Sequence, residues 1–238
     1  MLRFDALGGT FLYPGVLTRQ KIMSKALDYG EEELDRSIVG CPAEVMRAIG
    51  TISSQRHTDG ASARTSLGMI RDNMGTIQNF NADAWAVKVG SPYRYSIPDA
   101  HTILVEIGRI WQNAGLLYTN RILHTLAPQH QDMKVTTSSL LTQVAKFGDE
   151  MNVIKCLLWP IFLVGAESDV EAERNWALSM LERIWRFNFC ANAKSSVNIL
   201  RSIWQKKDLL KAHMTTEEYR NFDWIGELSA GEEQWMLF

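Results

Sequence analysis

The segment Val153–Ala166 restricts the fold more than any other part of the chain. It is apolar almost throughout, with Lys155 as its one charged residue and Pro160 near its middle. A membrane span needs roughly 20 consecutive apolar residues, and this run stops well short of that. It therefore reads as a core segment. Pro160 removes a backbone donor and its ring crowds the preceding turn, so an apolar helix must start, kink or stop there, with Trp159 and Phe162 packed around the break. Gly165 then permits a close turn. The segment reads as a packed helix-to-helix elbow.

Helical periodicity governs the flanking sequence. Pro42 opens a helix to about Arg56, with Val45, Ile49 and Ile52 on one face. The small polar residues from His57 to Ser66 form a loop, and a second helix runs from Ser66 to Asn79 through Leu67, Ile70, Met74 and Ile77. Trp85, Val87 and Val89, then Tyr93, Tyr95 and Ile97, alternate like a strand. Gly90, Pro92 and Pro98 punctuate them and no partner strand is visible, so an extended surface loop is expected. Asp99 to about Leu126 repeats Leu104, Ile107, Trp111, Ala114, Tyr118 and Ile122 at three- and four-residue steps and reads as a long helix closed by Pro128. Ser138 or Ser139 leads into Leu140, Leu141, Val144 and Phe147, ending near Gly148.

Two later helices open with a Ser or Thr followed three residues on by Glu, the reciprocal cap: Ser168 with Glu171, and Thr215 with Glu218. Trp176, Met180, Leu181, Ile184 and Phe187 form the buried stripe of the first. Val197, Leu200, Ile203, Trp204 and Leu210 mark a helix between the two. The expectation is an all-α, irregular multi-helix domain of about seven helices with no significant sheet. No fixed-period repeat supports a solenoid. Residues 1–238 read as a single helical domain, with 1–38 as its N-terminal segment. His57–Ser66 and Pro128–Ser138 are its weakest seams.

Charge narrows the partners. Lys and Arg total 25 against 27 Asp and Glu, a formal charge of −2, so the chain has no footprint for gripping a phosphate backbone and direct DNA binding is not expected. Cys41, Cys156 and Cys190 stand far apart with no Cys-x-x-Cys pair, which fits neither a disulfide framework nor a zinc site. They read as reduced, buried cysteines of an intracellular protein. Arg3 and Asp5 interrupt the N-terminal apolar residues, so no signal peptide and no membrane segment are expected.

Catalytic motifs are missing: no Gly-x-Ser-x-Gly, no phosphate loop, no His-Glu-x-x-His, no Gly-x-Gly-x-x-Gly. The five histidines are scattered; only His124 and His130 share a segment, and Pro128 breaks it. No catalytic residue, metal ligand or cofactor is assigned, and the chain is read as a non-enzyme. The one alternative worth naming is a dispersed site on the long helix, His101 with Glu106 and Arg109, which are only partly co-facial. Glu31, Glu32, Glu33 and Asp35 make an acidic run, and Arg201, Lys206, Lys207 and Lys211 a basic face; both read as solvated helix surface. The chain carries 8 tryptophans. Trp111, Tyr118, Trp159, Phe162, Trp176 and Trp204 read as core, with an apolar ligand pocket as the sharper alternative. So many aromatics can also leave an apolar patch for a homodimer, although no heptad pattern predicts a coiled coil.

The run Cys156-Leu157-Leu158-Trp159-Pro160-Ile161-Phe162-Leu163-Val164-Gly165-Ala166-Glu167, followed by Arg174, Trp176, Leu181, Ile184, Ser196-Val197 and Ile203-Trp204, resembles one fungal-specific transcription factor domain. This is the regulatory region found C-terminal to a six-cysteine binuclear zinc cluster. Upstream, Val39-Gly40-Cys41-Pro42-Ala43-Glu44-Val45 with Ile49 and Ile52 resembles the family's Gly-x-Pro helix start. Ala114-Gly115-Leu116-Leu117-Tyr118 with Arg121 and His124 is similar to its Ala-x-Leu-Leu-Tyr helix. The matches keep their order from Val39 to Trp224. The resemblance implies a nuclear regulatory domain that controls transcription through contacts with proteins of the transcription machinery or by sensing a small apolar effector. The six-cysteine cluster is missing, so zinc belongs to a DNA-binding module that has been cut away or that this protein never had; the abrupt Met1-Leu2-Arg3-Phe4 start fits a beginning inside a longer chain.

Overall fold

The structure, a computed structural model, describes residues 40–56, 63–90, 99–126, 133–213, 219 and 222–230. Its elements are α1 (Ala43–Ser54), α2 (Ala63–Gln78), α3 (Ala82–Gly90), α4 (Ala100–Leu126), α5 (Met133–Ala145), α6 (Met151–Ile154), a 3-10 turn (Lys155–Leu157), α7 (Leu158–Glu167), α8 (Glu171–Asn188), α9 (Ala191–His213) and α10 (Trp224–Ala230). The fold is all-α, and no strand occurs among the described residues.

Two helices organise the rest. The 27 residues of α4 span about 40 Å at 1.5 Å per residue, and α1, α2, α3, α5 and α7 all pack on it. Ile107, Trp111, Ala114, Tyr118 and Ile122 are buried along it at the spacing expected, whereas Leu104 is only partly buried and Val105 takes a core place beside it. The second organiser is α7, buried at every position from Leu158 to Ala166, which meets α4, α5, α8 and α9. A helix apolar on all sides is stable only where neighbours cover all of it. One apolar core runs from Cys41 through Leu228.

Pro160 is the third residue of α7, so the break falls at a helix start, where a missing N–H costs nothing. Gly165 corrects the expected turn: it lies inside α7. A Cβ there would sit 2.7 Å from Leu200 Cδ1 and 3.0 Å from Ala177 Cβ, so its bare Cα is what lets α8 and α9 close onto α7. Gly40 does need its freedom, with φ at +68° and Cys156 Cβ 2.8 Å from where its own Cβ would stand.

Several expectations are revised. Trp85, Val87 and Val89 belong to α3 and to no extended loop. Trp85, Ala86 and Val89 are buried while Val87 is half exposed, and Asn81 Oδ1 caps the start by accepting the Ala84 N–H at 3.0 Å. Residues at i and i+4 fit a strand's alternation and a helix's face equally well, and the cap decided. Tyr93, Tyr95 and Ile97 lie outside the described residues. α2 starts at Ala63 and α5 at Met133, both earlier than expected. The expected reciprocal cap of Ser168 with Glu171 does not form: Val170 is the N-cap of α8, Ser168 Oγ accepts the Val170 N–H at 3.1 Å and donates to Glu173 at 2.5 Å, and the Ser168 N–H is held by the Val164 carbonyl. Phe187 leaves the stripe and is half exposed; Leu210 and Trp176 are only partly buried, as are Cys156 and Cys190. Lys207 leaves the solvated face: it is 4% exposed. The Thr215 and Glu218 cap lies outside the described residues.

Candidate functional site

The last turn of a helix presents carbonyls with no partner of its own, and at a buried end they need donors from elsewhere. At the end of α7 the donors come from one face of α9. Trp204 Nε1 donates to the Gly165 carbonyl at 2.8 Å and Lys207 Nζ to the Ala166 carbonyl at 2.8 Å. The Lys207 ammonium also meets the negative end of the α7 dipole.

The next residue, Glu167, carries a charge into the core. Arg121 of α4 grips it with two guanidinium nitrogens, Nε to Oε1 at 2.8 Å and Nη2 to Oε2, while Trp224 of α10 donates its indole N–H to Oε1 at 2.8 Å. The two charged side chains are 8% and 2% exposed. Burial alone would raise the Glu167 carboxyl, but the charge and hydrogen bonds of Arg121, helped by Lys207 and Trp224, hold it below its ordinary value. Burial pulls the Arg121 guanidinium down, and the Glu167 carboxylate more than restores it. Lys207 ends below the ordinary lysine value because burial outweighs Glu167 and Asp169.

The seam continues outward. Asp169 lies 3.5 Å from Lys207 Nζ and accepts the Tyr219 hydroxyl at 2.5 Å. Burial first, and then that hydrogen bond, raise the Tyr219 hydroxyl. Arg174 of α8 donates to both Asp208 oxygens at 2.9 and 3.0 Å and to the Ser168 carbonyl at 3.1 Å, with its guanidinium 5.4 Å over the Trp204 ring. Five helices, α4, α7, α8, α9 and α10, thus meet through charged and indole groups. On the α1 side of α4, the buried Tyr118 hydroxyl pairs with Ser53 and Arg56, and burial pushes it up to about 12 against the pull of Arg56.

The six aromatics singled out from the sequence fall into separate contacts. Trp111 stacks on Trp159 with centroids 5.4 Å apart and planes 6° from parallel, and Tyr118 meets the other side of that pair at 5.6 Å. Phe162 packs edge-on against Trp224 at 5.9 Å. Trp204 serves the seam, and Trp176 is partly buried against the core. The buried Trp111 Nε1 and Asn120 Oδ1 have no hydrogen-bond partner among the described residues.

His101, Glu106 and Arg109 are not assembled. Glu106 is taken up by Arg109 at 3.1 Å and Lys146 at 3.4 Å, Arg109 also reaches Asp83, and the exposed His101 bonds to neither Glu106 nor Arg109. Among the described residues no three His, Cys, Asp or Glu side chains stand close enough to hold a metal, and no helix is long and apolar enough to cross a membrane.

Sequence reasoning missed Arg121, Glu167, Lys207 and Trp224. The signal was present as charge on an apolar stripe: Arg121 follows Ala114 and Tyr118 by seven and three, and Lys207 follows Leu200 and Ile203 by seven and four. A charge at a core position is either paired or costly.

The family described as fungal specific transcription factor domain matches residues 11–238. Among curated proteins, the acriflavine sensitivity control protein acr-2 of Neurospora crassa is 30% identical over 204 residues, covering 78% of this chain and 31% of that protein. The chain therefore spans about a third of that relative's length. No solved structure matches the chain.

Proposed function

The chain belongs to the fungal-specific transcription factor domain family, and on that premise we propose that it is the regulatory domain of a zinc-cluster-type transcription factor. It acts in the nucleus through contacts with proteins of the transcription machinery. The family is a class of regulatory domains and not of enzymes. The observation that carries the proposal is the match over residues 11–238, nearly the whole chain. The relative's name, a control protein for acriflavine sensitivity, points the same way.

In this reading residues 1–238 work as one domain that takes no cofactor of its own. Zinc and DNA contact belong to a separate module, in keeping with the net charge of −2. Fusing the chain to an unrelated DNA-binding module upstream of a reporter in a fungal host tests it. Reporter output should differ from that of the module alone, upward for an activator and downward for a repressor. Unchanged output from a well-expressed fusion sinks the proposal. A homodimer is part of the same reading, and light scattering on the purified chain measures it.

A second reading, a small apolar effector between the helices, is favoured by one feature. Trp111 Nε1 is buried in the aromatic cluster with no acceptor among the described residues, a donor that a ligand carbonyl or hydroxyl would satisfy. A compound that binds only the folded state raises the melting temperature, so a thermal-shift screen of apolar metabolites decides it. A screen without a shift removes this reading and leaves protein contact.

A further inference from the structure

The end of α8 and the start of α9 flank an open groove of about 280 Å³. Its wall is apolar at Trp185 and Val197, and Arg186, Lys194 and Arg201 stand around it with Glu182 as the one carboxylate. At its edge Phe189 meets the Trp185 ring at right angles, centroids 6.0 Å apart, and is 77% exposed. Phe189 closes α8 in the left-handed conformation, φ 50°, with its N–H on the Trp185 carbonyl at 2.8 Å. That position normally falls to glycine, because a side chain there costs about 1 kcal/mol. Phe189, the most exposed phenylalanine among the described residues, thus sits on strained backbone.

The charge around the ring is also unbalanced. On other faces Lys206 pairs with Glu227 at 2.6 Å and Arg109 with Glu106 at 3.1 Å. Here Arg186 has no carboxylate partner among the described residues. The Lys194 ammonium lies 5.3 Å over the Trp185 ring, and Arg201 reaches Glu182 only at 3.9 Å. In a chain of net charge −2 this surplus is local. A nucleic-acid strand needs a longer positive track with successive stacking platforms. Short positive clefts around an aromatic anchor suit carboxylates flanking an apolar side chain.

We propose that the α8/α9 groove docks an acidic segment of a partner protein, its carboxylates pairing with Arg186, Lys194 and Arg201 and an aliphatic or aromatic side chain covering Trp185 and Phe189. The proposal rests on the reading that this chain works by protein contact, and supplies the chemistry of one such contact.

The test is an anisotropy titration of the purified chain with a fluorescein-labelled synthetic peptide of aspartates interspersed with leucine and phenylalanine. Saturable binding that weakens as salt rises is expected. Arg186→Glu/Lys194→Glu/Arg201→Glu should weaken it about tenfold or more, and so should replacing the peptide's aspartates by lysine. Phe189→Gly removes the ring while suiting the left-handed backbone, and should weaken binding several-fold without lowering the melting temperature. Should charge reversal unfold the chain, Arg186→Gln/Lys194→Gln takes its place. Absence of saturable binding, equal affinity in the charge variants, or tighter binding of a single-stranded oligonucleotide to the same residues overturns the proposal. Groove variants that bind no peptide but leave the tethered reporter unchanged refute this docking as the working contact and leave the regulatory role standing. A silent reporter with intact peptide binding does the reverse.

Discussion

Removing one member of the Arg121–Glu167 pair should cost far more than removing both. With side chains 8% and 2% exposed, either charge left alone has no water to turn to, and breaking such a pair costs about 3–5 kcal/mol. For Arg121→Met the lower end applies, because Glu167 keeps the Trp224 indole N–H and the nearby Lys207 charge. At about 2–4 °C per kcal/mol in a chain of this size, that lowers the melting temperature on the order of 6–12 °C. Glu167→Met strands the Arg121 guanidinium and the Trp224 donor together and should reach the upper end. The double variant leaves no buried charge from the pair, only the Trp224 N–H without an acceptor, at about 1–3 kcal/mol. Urea unfolding followed by far-UV circular dichroism at neutral pH measures all four chains. The double variant should fall short of the sum of the singles by at least about 3 kcal/mol; agreement with the sum within about 0.5 kcal/mol refutes the coupling.

The pH dependence has a sign to check too. In the wild-type chain Glu167 titrates below its ordinary 4.5, so its contribution is complete above that value and drains away as pH falls through the lower folded value. Without Arg121, burial governs and the folded carboxyl moves above its ordinary value. The contribution is then complete at acid pH and lost as pH rises through the raised folded value. Arg121→Met should therefore become less stable upward from about pH 4.5, where the wild type keeps its full contribution.

Three further outcomes follow from single contacts. Gly165→Ala puts a methyl 2.7 Å from Leu200 Cδ1, and overpacking at about 1–3 kcal/mol should outweigh the roughly 1 kcal/mol gained in helix propensity; a thermal melt reads the sign. Trp224→Phe keeps a ring against Phe162 but drops the donor to Glu167, for about 1–3 kcal/mol in urea unfolding, whereas Trp224→Ala should cost about 3–5 kcal/mol. Burial raises the Cys156 thiol, so at neutral pH iodoacetamide should label it more slowly than a free cysteine, and urea should abolish the difference in intact mass.

The sequence revealed most where one physical signal acted alone. The stripe along α4 had a single reading, and that helix stands where periodicity put it; the apolar run of α7 announced a core segment but not the bounds of its helix. It misled where two signals shared a spacing: Trp85, Val87 and Val89 satisfy alternation, but in α3 the Asn81 cap starts a helix whose Trp85, Ala86 and Val89 face is buried. Gly165 misled differently. Its role depends on Leu200 and Ala177, which are distant in sequence and adjacent only after folding. The ionic seam is long-range in the same sense, since Arg121 and Glu167 are 46 residues apart. A charge on an apolar stripe announces that a partner exists without saying which.

Apart from the stranded Trp224 donor, an apolar pair in place of Arg121 and Glu167 would cost little, so the stability of the pair alone is a weak reason for the charges. Direction is a stronger one. Sliding α7 by one turn, about 5.4 Å, would strip Arg121 and Trp224 from Glu167, Lys207 from Ala166 and Trp204 from Gly165 together, where an apolar interface would slide at little cost. The seam therefore makes the register of α7 all-or-none. Gly165, which sits in that register, is touched by Ala177 of α8 and Leu200 of α9, the two helices that flank the basic groove.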